Sequence, residues 1–156
     1  MGKIETEVAV IYSDGSTIPT NPGPGGWAFV VLVDGEPIQE RYGHSGKTTN
    51  NRMEMLAVIN GIKWVVNNLI VSRIVVISDS MYVVCGINSW AEKWEKASFT
   101  GKANRDLWEE LLTLKKKNKI FCKHVRAHNG DLYNERCDVL ANMAASGKVT
   151  NVQDLT

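Results

Sequence analysis

Long apolar runs are missing from this sequence. No stretch approaches the ~20 consecutive apolar residues that a bilayer-spanning helix requires, and Met1-Gly2-Lys3-Ile4-Glu5 does not begin a signal peptide. The expected protein is therefore cytoplasmic, with no membrane partner. Cysteine is scarce too: Cys85, Cys122 and Cys137 are widely spaced and odd in number. They make neither a disulfide framework nor a CxxC metal clip, so three reduced thiols are expected. Excess charge of one sign is also absent, since 18 Lys and Arg meet 17 Asp and Glu for a net charge of +1. Bulk electrostatics announce no nucleic-acid partner, although local patches still can. Two qualify: Lys115-Lys116-Lys117 with Lys119, Lys123 and Arg126, and the sparser Lys93, Lys96, Lys102 and Arg105. The plain reading of the lysine triplet is a solvated helix C-terminus, where cations suit the macrodipole.

What is present has the periodicity of an α/β protein. Residues 8–13 read as a buried strand, short and rich in β-branched side chains. Asn21-Pro22-Gly23-Pro24-Gly25-Gly26 reads as a loop. Residues 27–33 and 36–43 read as strands joined at Asp34-Gly35, a hairpin signal. The period then changes to helical over about 50–67, with Thr49 or Asn50 as cap. A strand is expected at 73–78, short helices at 80–85 and 89–96, and a longer helix at 104–117. A last strand at 120–126, a helix at 132–146 and a tail at 148–156 complete the chain. The 156 residues fit one domain, with a core at about 7–147. The expected fold is α/β: a five-stranded mixed sheet, three strands antiparallel and then two parallel, flanked by helices. If the first and fourth strands are parallel neighbours, their carboxyl ends share the edge where open α/β sheets bind ligands.

Four acids stand against this background. Asp14 follows the apolar run Val8-Ala9-Val10-Ile11-Tyr12, and Asp79 ends Ile74-Val75-Val76-Ile77-Ser78. Glu54 and Asp138 interrupt helices with strong packing faces. Each alone has a structural explanation: a turn at Asp14-Gly15, a helix cap at Asp79, a favourable dipole at Glu54, an ion pair with Arg136 at Asp138. Jointly those explanations weaken, because carboxylates at the edge of buried structure cost several kcal/mol unless paired or bound to metal. Convergent acids call for divalent cations, and such sites perform phosphoryl transfer.

The motifs Asp14-Gly15-Ser16, Asn21-Pro22-Gly23-Pro24-Gly25-Gly26, Thr48-Thr49-Asn50-Asn51-Arg52-Met53-Glu54, Asp79-Ser80 with Tyr82, and Asn134-Glu135-Arg136-Cys137-Asp138 resemble bacterial-like type 1 ribonuclease H. They occur in that family's order from Asp14 to about Ala145, and the seven-residue Thr-Thr-Asn-Asn-Arg-Met-Glu block is the most specific of them. The resemblance implies a ribonuclease H-like fold and an endonuclease acting on the RNA strand of RNA–DNA hybrids; no oligomer interface is readable, and a monomer is the default expectation. It casts Asp14, Glu54, Asp79 and Asp138 as catalytic acids holding two Mg²⁺ ions, with Mn²⁺ as a substitute and no small-molecule cofactor. Two such ions ~4 Å apart activate a water and stabilise the leaving 3′-oxygen, leaving 5′-phosphate and 3′-hydroxyl ends. His128, in Arg126-Ala127-His128-Asn129-Gly130, matches a histidine that assists catalysis or product departure.

For substrate, the resemblance makes Asn21, Asn50 and Asn51 candidates for 2′-hydroxyl or base-edge contacts. Lys47, Thr49 and Asn104 match a pocket that grips a DNA-strand phosphate. Trp90 and Trp94 fall in a segment that holds the DNA strand in bacterial relatives; at i and i+4 they equally suit a packing ridge. Two departures are visible: residues 95–104 are shorter and less basic than in many relatives, and Met81 stands where glutamine is frequent. No Gly-Lys-Ser/Thr follows the glycine block, so a P-loop is excluded. The alternatives carried forward are a hybrid-binding module without activity and a related-fold DNA nuclease.

Overall fold

The computed structural model describes residues 2–127 and 129–147. Three antiparallel strands, β1 (Ile4–Thr17), β2 (Gly23–Val33) and β3 (Glu36–Thr48), open the chain. β4 (Leu69–Ser78) then pairs parallel with β1, and β5 (Ile120–His124) parallel with β4. The sheet order is β3-β2-β1-β4-β5, the mixed sheet the sequence implies.

Alternation along the strands divides the interior in two. Ala9, Ile11, Phe29, Val31, Ile74 and Val76 face helices α1 (Asn50–Asn68) and α4 (Arg105–Lys117). Val10, Tyr12, Ala28, Val30 and Leu32 face α5 (Leu132–Ala145). α5 packs on β1, β2 and β3. β4 is therefore less covered on that face than its apolar sequence suggests: Val75 and Ile77 are half-buried, and neighbouring Phe121 is exposed.

Helix ends follow capping chemistry. The Thr49 hydroxyl accepts the Arg52 N–H at 3.2 Å and starts α1; such a cap contributes ~1 kcal/mol. Ser80, not Asp79, caps α2 (Met81–Cys85), and Asp131 caps α5. α4 buries Leu107, Trp108, Leu111 and Leu112. Of its lysine triplet, Lys116 and Lys117 are exposed as expected, Lys116 beside Glu95, while half-buried Lys115 bonds Glu92 and the Ile87 carbonyl.

Two expectations need correction. Gly23 to Gly26 form the first residues of β2 rather than a loop, with Gly25 and Gly26 opposite Thr17 and Ser16. The reason is close packing: a Cβ on Gly26 would collide with the α5 backbone at Ala141 and Ala145, so only glycine lets the helix lie against this strand. Pro24, which has no N–H for the ladder, sits beside a register shift in the β2–β3 pairing. The second correction concerns residues 86–88, expected as a break between short helices. A π-helical turn over Gly86–Trp90 joins α2 to α3 (Ala91–Lys96) without interruption. β1, β3 and β4 also run longer than their sequence signals, whereas β5 ends two residues before Arg126. The expected tail at 148–156 lies outside the described residues.

Candidate active site

Strand register delivers the first two acids. Tyr12 of β1 pairs with Ile77 of β4, and Asp14 and Asp79 each lie two residues further on. Both therefore reach the carboxyl edge of the two central parallel strands. Glu54, the fifth residue of α1, arrives from above because β1 carries no side chain at Gly15. A Cβ there would collide with the backbone of Met53 and Glu54. Asp14, Glu54 and Asp79 each offer an oxygen, and the three oxygens lie within 4.8 Å of one another.

Burial makes this cluster electrostatically unusual. Asp14 is 4 % exposed and Glu54 8 %. Burial pushes the Asp14 carboxyl up to about 7; Asp79 and Asp138 push the same way, while hydrogen bonds from Glu54 and the Gly15 N–H oppose them. Glu54 is raised well above the usual carboxylate range, first by burial and then by Asp14. Its Oε2 has no hydrogen-bond partner among the described residues. A buried, unpartnered carboxylate oxygen beside two further carboxylates is an all-oxygen donor set, the kind that suits Mg²⁺, Mn²⁺ or Ca²⁺. The residues fit a divalent cation.

Asp138, half-buried on α5, lies outside that tight trio but close enough to raise the Asp14 pKa. It does not pair with Arg136, which bonds Glu40 instead. Its Oδ1 accepts from Asn142 at 3.3 Å, and the Asn142 Oδ1 accepts from Ser16 at 2.5 Å. Helix α5 is thus tied to β1 two residues beyond Asp14. His128 lies outside the described residues. Cys137, buried against the sheet, is core packing as expected, its thiol pushed up by burial.

The residues proposed for substrate fall around the same end of the sheet. Asn21 accepts the Asn50 N–H at 3.1 Å, and Thr17 donates to Asn50 Oδ1 at 2.8 Å, so these two asparagines are held together. Asn51 and Lys47 are exposed. Trp90, 40 % exposed, leans on Trp94 with centroids 5.8 Å apart, and Trp94 meets Trp108 edge-on at 5.5 Å. The pair is a ridge that still shows one ring to solvent, with Lys102 5.2 Å from the Trp94 ring centroid. What sequence reasoning missed is the polar scaffold behind these groups: Arg52 with Asp106, Tyr82 with Trp108, and Asn142. The i, i+4 spacing of Asp138 and Asn142 is a readable helical signal; the Arg52–Asp106 contact is long-range and has none.

A β3-β2-β1-β4-β5 sheet with buried acids where its two central parallel strands end defines a ribonuclease H-like fold. The ribonuclease H family model matches residues 6–146. A Ribonuclease H of Campylobacter jejuni is 45 % identical over 135 residues, covering 86 % of this chain and 89 % of the relative. The crystal structure of LC9-RNase H1, described as a type 1 RNase H with the type 2 active-site motif, superposes with a TM-score of 0.81 at 26 % identity, over 95 % of this chain and 76 % of that one. LC11-RNase H1, solved in complex with an RNA/DNA hybrid, shares the fold at a TM-score of 0.70 and 22 % identity, covering 90 % of this chain and 98 % of that one. The chain belongs to the ribonuclease H family, and within it to type 1.

Gly15 supplies a direct test of the geometry. Gly15→Ala is expected to push α1 off β1, costing about 1–3 kcal/mol and separating Glu54 from Asp14. The check is thermal melting together with hybrid cleavage. Wild-type values for both would show that the close approach is not needed.

Proposed function

We propose that this chain is an endoribonuclease that hydrolyses the RNA strand of RNA–DNA hybrids, leaving 5′-phosphate and 3′-hydroxyl ends. In this reading Asp14, Glu54, Asp79 and Asp138 hold two divalent cations. One observation carries it: a trio of clustered carboxylates, two of them buried, with Glu54 Oε2 unpartnered. Ionising such a set without counter-charge costs several kcal/mol, and a stabilising fold without a ligand has no use for it. When bound, divalent cations activate a water and stabilise the leaving oxygen of an in-line displacement.

The chain's own groups do the remainder. The Gly15 N–H fixes Asp14 Oδ1 at 2.9 Å. Burial holds the Glu54 carboxyl well above the usual range, and to hold a cation it would have to be ionised, because a ligating carboxylate gives up its proton. Asn142 holds the Asp138 carboxylate from one side. His128 shuttles a proton near neutral pH. Lys47, Thr49 and Asn104 hold a phosphate of the DNA strand, and Trp90 and Trp94 line the path of that strand. Asn21, Asn50 and Asn51 face the minor groove of an A-like helix, where 2′-hydroxyls distinguish RNA from DNA. Mg²⁺ with Mn²⁺ as substitute, one domain over 1–156, one chain as the working unit and the cytoplasm as compartment belong to the same proposal.

The test is to incubate the protein with labelled RNA–DNA hybrid, duplex DNA and duplex RNA, each with Mg²⁺ or with EDTA. Cleavage confined to the RNA strand of the hybrid, and stopped by EDTA, is expected. Cutting of duplex DNA, or hybrid cleavage that persists in EDTA, overturns the assignment. Hybrid binding without cleavage in either Mg²⁺ or Mn²⁺ would make the chain a binding module.

A further inference from the structure

Arg52 lies between two of the residues assigned above to a DNA-strand phosphate, and it touches both. Its backbone N–H donates to the Thr49 hydroxyl at 3.2 Å, and its Nη1 donates to Asn104 Oδ1 at 3.2 Å. The guanidinium is otherwise spent on Asp106, with Nη1 to Oδ1 at 3.0 Å and Nη2 to Oδ2 at 2.7 Å. This bidentate pair neutralises the arginine, so Arg52 is poorly placed to bind a phosphate itself. Its effect falls on Asn104.

Arginine is an obligate donor. The Thr49 hydroxyl accepts only the backbone N–H of residue 52, a helix cap that does not depend on the arginine side chain, and has its own O–H left to donate. An amide whose oxygen is turned to Arg52 must present its NH₂ elsewhere, which settles the side-chain orientation of Asn104. One Asn104 N–H is held by the Tyr82 hydroxyl at 3.2 Å, and that hydroxyl is itself fixed by the Trp108 indole N–H at 2.9 Å. Trp108 is fully buried. The second Asn104 N–H has no role in this network. The backbone agrees: Asn104 occupies the N-cap position of α4 with φ 62°, yet its side chain makes no capping bond. An asparagine in the cap position, held in the left-handed region and not capping, is kept for another purpose.

We propose that Arg52, with Tyr82 behind it, is a positioning residue that turns the Asn104 amide donor-outward, so that it joins the Thr49 hydroxyl in binding a phosphate of the DNA strand. The inference rests on the hybrid-nuclease reading and adds to it how the phosphate subsite is preset.

The experiment measures hybrid binding by fluorescence anisotropy in EDTA, with a set of hybrids each carrying one neutral methylphosphonate in the DNA strand. For wild type, one position in the set is expected to weaken binding about tenfold, the size of a lost charged hydrogen bond. In Arg52→Ala and Tyr82→Phe the penalty at that position should shrink to about threefold or less, because the Asn104 donor is already lost while the Thr49 hydroxyl remains. In cleavage assays the loss should fall on KM far more than on kcat. Tyr82→Phe removes one oxygen from a half-buried ring, so it keeps the test available if Arg52→Ala does not fold; thermal melts report which case applies. Variants that retain the full wild-type penalty, or a wild type that binds hybrid with no sensitive phosphate, overturn the inference and leave the nuclease reading intact. A wild type that neither binds nor cuts hybrid overturns the nuclease reading, and this inference with it.

Discussion

Asp14→Asn is expected to reduce hybrid cleavage by about a thousandfold or more, equivalent to about 4 kcal/mol of barrier, while hybrid binding stays measurable. The reason is local. Asp14 is the central member of the acid set: its pKa responds to Glu54, Asp79 and Asp138 alike. An amide of the same shape keeps the packing and can still accept the Gly15 N–H, but it removes one full negative charge from the donor set. The groups proposed to hold the DNA strand, Asn104 and Trp90 among them, sit on other elements and are untouched. The measurement is single-turnover cleavage beside anisotropy with the same hybrid. Retained cleavage would show that Asp14 is not a cation ligand; lost binding would show that the acids also hold substrate.

Much of this site was legible before any coordinates. Asp14 and Asp79 end apolar runs, and a run of that kind says parallel strand, so their shared edge follows from topology. The approach of Glu54 was not legible, because it depends on the missing side chain at Gly15, whose Asp-Gly pairing reads equally well as a turn. The glycine-proline block was misread for the same reason: composition marks it as loop, whereas the backbone of α5 lying on Gly26 makes it strand. Arg52, Asp106, Tyr82 and Trp108 join three elements through side chains far apart in sequence, and no periodicity carries such contacts. Asp138 was found as an acid but not as the member standing apart, held by Asn142.

The same Asp14→Asn variant is expected to be more stable than wild type at neutral pH in the absence of metal. The sign follows from linkage. Asp14 has an ordinary value of 3.8 and a folded value of about 7, so between these limits the folded state keeps a proton that the unfolded state has lost. Stability therefore falls as pH rises across that window and levels off above about 7. The gap corresponds to at most about 4 kcal/mol. Glu54, raised in the same direction and bonded to Asp14, takes part of it, so about 2 kcal/mol is expected for Asp14 alone. In a chain of this size that is about 4–8 °C in melting temperature. Asparagine has no proton to lose, so the variant's curve should be flatter between pH 4 and 7, with the advantage over wild type greatest at pH 7 and above and vanishing near pH 4. Mg²⁺ should then reverse the order: a cation that binds only the folded site stabilises wild type by mass action and has little to hold in the variant. Melting both proteins from pH 4 to 8, with EDTA and with Mg²⁺, reads all of this. A variant no more stable than wild type at pH 8 in EDTA would mean that the acids are not strained against one another. The cluster would then be held by something other than a cation it has yet to bind.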